Sequence, residues 1–138
     1  MKILIKSFVV LAFLFFSSPA VSKKRPATEG PSPDLTQFYN DTNFKYFEAR
    51  LPRVTVMVSE EPDSPDLGET VPCGEHCYSI TIYSSLVPDY NEQKMVELHE
   101  MCHVDMDELG IQEFDQHGPN FQTCMVSLAK KGAFASLW

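Results

Sequence analysis

Two histidines and a glutamate in the second half of the chain form a pattern that can bind a metal ion. His99 and His103 are four residues apart in the run His99-Glu100-Met101-Cys102-His103. On a helix this spacing points both imidazoles the same way, where they can fill two corners of a tetrahedral zinc site. Glu100 is turned by about 100° from His99. We therefore expect it beside the metal, where its carboxylate can take a proton from a metal-bound water.

A catalytic zinc site usually has three protein ligands and one open position, so the pattern requires a third ligand. His117 is the first choice, because it follows a short turn and Gly118 removes a side chain where the loop must approach the metal. His76 is the alternative ligand, although a histidine in a loop is commonly exposed. Cys102 could complete a structural zinc site, but it projects away from the two helical histidines, and we interpret it as a core residue.

Other polar residues near the motif have two interpretations each. Four carboxylates could hold the far nitrogen of a ligand histidine, although a solvated surface is the more common role for such residues: Asp105, Asp107, Glu108 and Asp115. Two tyrosines, Tyr78 and Tyr83, could line the cleft and stabilise an oxyanion, although strand tyrosines more often serve packing.

The helical elements follow from periodicity and from capping residues. An apolar stripe at steps of three and four predicts a helix from about Asn91 to Leu109, with its polar side at Lys94, Glu97, Asp105 and Glu108. A further helix begins near Pro119 and buries Phe121, Cys124, Met125 and Leu128. Earlier in the chain, Ser32-Pro33-Asp34 is typical of a helix start, and this helix should end before Leu51-Pro52.

Alternating β-branched residues predict two strands, at Arg53–Val58 and Cys77–Tyr83. Between them, residues 59–76 are rich in Pro, Gly, Asp and Glu, which indicates a long acidic connecting loop. Residues 23–32 have no large apolar side chain and should form a flexible N-terminal segment. The predicted domain therefore covers residues 33–138.

The first 22 residues have the composition of a secretory signal peptide. Lys2 and Lys6 precede an apolar run at residues 8–16, and small residues follow up to Ser22. An uncleaved anchor is the alternative, but the run is shorter than the roughly 20 residues that span a bilayer. We therefore expect cleavage before Lys23, no stable membrane anchor afterwards, and an exported protein in the periplasm or outside the cell.

The net charge and the cysteine content indicate which partners and which covalent crosslinks the chain can have. The formal net charge is −8, and loss of Lys2 and Lys6 with the signal peptide would change it to −10 (−8 − 2). Because phosphate backbones require Lys and Arg, nucleic acid is an improbable partner. Four cysteines in an exported chain could form two disulfides. Cys73 with Cys77 could bridge a loop, whereas pairing of Cys102 with Cys124 depends on the distance between two helices.

The combination of motifs resembles the SprT-like metallopeptidases. The run from Leu98 to His103, followed by His117-Gly118-Pro119-Asn120-Phe121, is similar to the zinc-binding helix and the later His-Gly-x-x-Phe element of that family. The likeness covers about residues 33–132. It implies His99, His103 and His117 as zinc ligands and Glu100 as the catalytic base. It also implies a minimal zincin-like α+β fold, with three main helices packed on a small antiparallel sheet.

The resemblance extends to the catalytic chemistry of the family and not to the substrate of its best-known members. Spartan-type relatives act on proteins crosslinked to DNA, whereas this chain has no basic DNA-binding region and has an export signal. The expected function is an exported zinc endopeptidase that cleaves proteins or peptides by Glu-assisted attack of a zinc-bound water. Two alternatives remain, a non-catalytic zinc-containing binding module and a metal-dependent hydrolase of a non-peptide amide.

Overall fold

Local capping and periodicity explain the helices of the computed structural model, which describes residues 29–62 and 65–138. The predicted signal peptide lies outside the described residues, as does most of the segment expected to be flexible. Helix α1 spans Pro33–Tyr46, and the Ser32 hydroxyl accepts a hydrogen bond from the Leu35 amide at 3.3 Å. Because the hydroxyl occupies an otherwise unpaired amide of the first turn, the predicted helix start is confirmed.

The other two helices are also confirmed close to their predicted bounds. Helix α2 spans Tyr90–Glu108, and the Asp89 carboxylate caps its first turn by accepting from the amides of Asn91 and Glu92. Helix α3 spans Pro119–Lys130. After α3 the chain changes direction at Gly132, whose φ of 81° lies in the left-handed region that favours glycine.

Four strands form one mixed sheet in the order β1-β2-β4-β3. They are β1 (Gly30–Pro31), β2 (Val54–Ser59), β3 (Gly68–Gly74) and β4 (Cys77–Tyr83). Strand β4 pairs antiparallel with β3 but parallel with β2, so the prediction of an antiparallel sheet is wrong for the central pair. The reason is topological, because the chain leaves β2, runs along the edge as β3, and then turns back into the gap between them.

The edge strand β3 lies inside the region predicted to be a loop, so that prediction is wrong for residues 68–74. Most of its residues are partly or fully exposed, and two glycines and a proline interrupt any alternation of apolar side chains. Its conformation comes from pairing with β4, which a local pattern does not reveal. The short β1 likewise forms by pairing with β2, within the segment expected to be flexible.

The core lies between one face of the sheet and the helices α1 and α2. Helix α2 contacts β3 and β4 on one side, α1 on another and α3 on a third. The residues that are fully buried at this junction are apolar and come from every layer: Leu35, Val56, Ile80, Ile82, Leu98, Met101 and Val104. None of the helices among the described residues is both long enough and apolar enough to cross a membrane.

The polar side predicted for α2 is wrong at two positions. Glu97 is 0% exposed and Asp105 is 4% exposed, because α1 and the chain after it cover that side of the helix. Asp105 forms an ion pair with Arg50. In the part of the chain that the structure describes, neither carboxyl oxygen of Glu97 has a hydrogen-bond partner. Burial therefore raises the pKa of Glu97 well above its usual value.

Two disulfides connect the secondary structure, which answers the question that the cysteine spacing left open. Cys73–Cys77 closes the turn between β3 and β4, with Cα atoms 5.1 Å apart. Cys102–Cys124 joins α2 to α3, with Cα atoms 5.9 Å apart. The second bond is part of the core, because Cys102 is 0% exposed. It therefore holds α3 directly against α2.

Replacing Glu97 with methionine should increase the free energy of unfolding by about 1–3 kcal/mol, because an unpaired buried carboxyl is removed. Chemical denaturation of the oxidised, metal-free protein at neutral pH measures this change. Glu97→Gln is the matched control, since it keeps a buried polar group and should give a smaller gain. A marked loss of stability in Glu97→Met would contradict the absence of a partner for this carboxyl.

Replacing both Cys102 and Cys124 with alanine should lower the free energy of unfolding by about 3 kcal/mol, because the crosslink closes a loop with a sequence separation of 22 residues. The double variant Cys73→Ala/Cys77→Ala opens a much shorter loop and should lose less. Urea unfolding of both proteins under non-reducing conditions provides the comparison. A larger loss in the second variant would show that loop length does not set the effect.

Candidate metal centre

Three histidine side chains converge on one point beside α2. His99 and His103 come from successive turns of this helix, and His117 comes from the turn that precedes α3. The Nε2 atom of His103 lies 3.2 Å from that of His99 and 3.2 Å from that of His117, and the remaining Nε2 pair is 3.0 Å apart. The tertiary structure thus brings together the three residues that the sequence singled out as ligands.

The spacing of these nitrogens fits a metal ion. A tetrahedral ion with bonds of about 2.0–2.1 Å to nitrogen needs ligand atoms about 3.3 Å from one another. Burial, and then the charges of His99 and His117, lower the pKa of His103 to about 4. Burial and the neighbouring His117 also lower the pKa of His99. Both imidazoles are therefore neutral near pH 7 and can donate a lone pair, so the three histidines form a candidate metal site.

The ring of Phe121 packs against the imidazole rings of all three histidines. Its centroid lies 4.8 Å from that of His99, 4.5 Å from that of His103 and 4.7 Å from that of His117. The ring is 2% exposed and belongs to the core. The first turn of α3 therefore provides an apolar floor that restricts how each imidazole can rotate.

Glu113 positions the turn that carries His117. Its carboxylate accepts hydrogen bonds from the amides of Asn120 at 2.9 Å and Phe121 at 3.3 Å, so it caps α3 from outside the helix. Both bonds lower the pKa of Glu113, and the bond from the Asn120 amide has the larger effect. A Cβ atom at Gly118 would lie 2.7 Å from the carboxyl carbon of Glu113. A side chain at position 118 would therefore displace the Glu113 carboxylate from the cap, which adds a second reason for glycine to the predicted approach of the loop to the metal.

Glu100 lies next to His99 but is more deeply buried, with 5% of its surface exposed. Its Oε2 atom accepts a hydrogen bond from the Thr70 hydroxyl of β3 at 2.8 Å. Burial raises the pKa of Glu100 to about 7, the hydrogen bond from Thr70 opposes this change, and the charges of Asp66 and Glu69 add to it. A carboxyl group with this pKa can both accept and release a proton near neutral pH.

A cavity of about 1040 Å³ contains the three histidines and Glu100. One wall is the edge strand β3 with the residues just before it, and the opposite wall is the loop between α2 and α3. Three methionines line it, Met95, Met106 and Met125. Methionine side chains are flexible and polarisable, so the cavity can adapt to apolar groups of different shapes.

The remaining candidates from the sequence have other roles in the fold. His76 does not join the three histidines; its exposed side chain places Nδ1 2.7 Å from Glu108 Oε2, and this hydrogen bond raises the pKa of His76. Tyr78 lines the cavity, and its hydroxyl shares its one proton between the carboxylates of Asp107 and Glu108. Tyr83 is buried at the end of β4 and does not line this cavity.

The four carboxylates considered as partners of the ligand histidines bind other groups. Asp105 pairs with Arg50, Asp107 and Glu108 accept from Tyr78, and Asp115 accepts from the main-chain amide of His117 at 2.9 Å. The contact from Asp115 orients the backbone of His117 and does not involve its imidazole ring. The expectation of a solvated surface is wrong for Asp105, which is almost completely buried.

Sequence reasoning missed Thr70 and Glu113, the two residues that hold Glu100 and the His117 turn. Thr70 lies in the segment that was read as a connecting loop, and no local pattern distinguishes it from other loop threonines. Glu113 caps a helix that begins six residues later in the chain, whereas the capping motifs recognisable in a sequence are local.

No protein-family model matches the chain, and no curated protein matches its sequence. The functional interpretation therefore depends on the arrangement of the side chains described above.

If the three histidines bind a metal, with added zinc as the probe, replacing Glu113 with alanine should weaken the binding by about 10- to 100-fold, because the turn that presents His117 loses its cap. Competition with a chromophoric chelator measures the dissociation constant. Glu75→Ala is the control, since it removes the same charge from a side chain that is 93% exposed and lies in the β3–β4 turn. Unchanged affinity in Glu113→Ala, or an equal loss in Glu75→Ala, would contradict the positioning role.

Proposed function

We propose that this chain is an exported zinc-dependent peptidase that hydrolyses peptide bonds. The observation that carries the proposal is the convergence of three histidine Nε2 atoms in a cavity that a buried glutamate also lines. His99, His103 and His117 are the proposed zinc ligands, and Glu100 is the proposed general base.

Zinc is the metal that the donor set favours. Three imidazole nitrogens suit zinc and other late transition metals, whereas magnesium and calcium prefer oxygen ligands. A set of three protein ligands is also typical of catalytic zinc, since structural sites fill the fourth position with a further side chain. When bound in such a site, zinc lowers the pKa of a coordinated water to about 7 and polarises a carbonyl group.

Glu100 has the position and the proton affinity that a general base needs. Its carboxylate lies one residue from a proposed ligand, faces the same cavity, and has its pKa raised to about 7, mainly by burial. In the proposed reaction it accepts a proton from the attacking water and then transfers this proton to the leaving amine. Tyr78 lines the cavity as well, but its one hydroxyl proton is donated to the carboxylates of Asp107 and Glu108, so the proposal gives it no role as an oxyanion donor.

The walls of the cavity support a peptide as the substrate. Strand β3 is at the edge of the sheet, and among the described residues it pairs only with β4. Its outer side can therefore offer main-chain hydrogen-bonding groups to an extended peptide. The methionine-lined part of the cavity accepts apolar side chains of different shapes. These features favour a protein or peptide over a small amide.

The resemblance to SprT-like metallopeptidases supports the same proposal. The structure is a small α+β domain with three helices and a four-stranded mixed sheet, which is compatible with a minimal zincin-like domain. Phe121, the last residue of the His-Gly-x-x-Phe element, packs against all three histidines. This contact gives a physical reason for an aromatic residue at that position of the motif.

Export is supported by the two disulfides, because such bonds persist in oxidising compartments and are rare in the cytosol. The proposal therefore concerns a chain that begins at Lys23 after removal of the signal peptide. With an expected net charge of −10, the mature protein is not expected to act on nucleic acid.

Replacing Glu100 with glutamine should abolish cleavage of casein or of a peptide library while the protein still binds one zinc ion. The amide keeps the shape of the side chain but accepts no proton at neutral pH. Zinc content is measured by elemental analysis, and Glu92→Gln, an exposed change in the first turn of α2, is the control. His99→Ala should lose zinc and activity together.

The outcomes separate the candidate functions. Zinc binding without cleavage by the wild-type protein would favour the non-catalytic binding module. Cleavage restricted to non-peptide amides would favour the alternative hydrolase. Absence of zinc in the wild-type protein, with no change in His99→Ala, would contradict all three.

A further inference from the structure

The Thr70 hydroxyl connects the edge strand to the proposed general base across the cavity. Its Oγ1 atom lies 2.8 Å from Glu100 Oε2 and 3.4 Å from the main-chain oxygen of Glu100. The shorter contact is an ordinary O–H···O hydrogen bond, and a hydroxyl has only one proton to donate. The carboxylate of Glu100 is therefore the preferred acceptor, although the two residues are 30 positions apart.

The two oxygens of Glu100 have different surroundings. Oε2 accepts the hydrogen bond from Thr70, whereas Oε1 faces the backbone of Gly68, which has no side chain. Gly68 lies beside Oε1, and a Cβ atom at that position would be 3.4 Å from this oxygen and 2.7 Å from Val96 Cγ1. The glycine thus lets β3 approach α2 closely while leaving space next to Oε1, and both residues line the cavity.

Thr70 is itself held in place by several contacts. It pairs with Ile80 in the register of β3 and β4, and the Cys73–Cys77 disulfide closes the far end of this hairpin. The Tyr78 hydroxyl then ties β4 to the carboxylates at the C-terminal end of α2. A donor anchored in this way can restrict the carboxylate of Glu100 to one orientation before a substrate binds.

We propose that Thr70 is a positioning residue, whose hydroxyl holds Glu100 Oε2 and leaves Oε1 to exchange protons with the attacking water and the leaving amine. This inference rests on the proposed function. As the water oxygen bonds to the peptide carbonyl carbon, one water proton moves to Oε1. As the carbon–nitrogen bond breaks, that proton moves from Oε1 to the amine nitrogen, and the carboxylate is restored. The Thr70 proton stays on Thr70.

Thr70→Val removes the hydroxyl and keeps the branched shape, so kcat should fall by about 10- to 100-fold. KM should change by less than about twofold, because no substrate contact is removed. Zinc content should remain at one ion per chain. Thr70→Ser keeps the hydroxyl and should restore most of kcat. Thr81→Val on β4 is the matched control, since it makes the same change outside the cavity lining.

Wild-type kcat in Thr70→Val would overturn the proposal. Equal losses in Thr70→Ser, or in Thr81→Val, would overturn it too, because they would indicate a packing effect. If the wild-type protein cleaves nothing, the proposed function fails, and crystal structures of the zinc-free proteins decide the inference separately. The Glu100 carboxylate should keep one orientation in wild type and Thr70→Ser and lose it in Thr70→Val. The same orientation in all three would overturn the positioning role.

Discussion

The contact between α2 and α3 is the constraint on which the candidate site depends. The Cys102–Cys124 disulfide joins the two helices, and Phe121, one turn before Cys124 in α3, packs against the histidine rings. Together these contacts bring His117 to His103 and His99, which are 14 and 18 residues away in the chain. A metal site of this kind requires ligand distances that agree with the ideal values to within a few tenths of an ångström. The disulfide and the packed aromatic ring beside it help to meet this requirement, because they restrict the relative motion of the two helices.

The opposite wall of the cavity is held to the same helix by a different set of contacts. Strand β3 reaches α2 at Gly68 and Thr70. The turn after it is tied to the end of α2 through His76, and the start of β4 is tied there through Tyr78. Helix α2 is therefore the common reference for both walls, since one side carries the ligands and the neighbouring side receives the hairpin. The width of the cavity therefore depends on where each of the two walls contacts α2.

Three carboxyl groups of α2 are buried, and the fold treats each one differently. Asp105 is paired with Arg50, Glu100 accepts a hydrogen bond from Thr70, and Glu97 has no hydrogen-bond partner among the described residues. Charged groups are costly to bury unless they are paired. The single hydrogen bond at Glu100 only partly opposes the effect of burial, so its pKa stays raised, which suits the proposed role as a general base.

The sequence by itself determined the three helices, two of the strands, and the placement of His99, Glu100 and His103 on α2, because these depend mainly on residues close in the chain. It also singled out His117, but the contact between α2 and α3 brings that residue to the other two histidines. A spacing of four residues puts His99 and His103 on one side of a helix whatever packs around it. The tertiary structure alone decided the parallel pairing of β2 with β4, the existence of β3, and the burial of Glu97 and Asp105. It also selected Thr70 and Glu113 as the residues that orient the site. These features come from hydrogen bonds and packing between segments distant in the chain, and no local periodicity encodes which segments will meet.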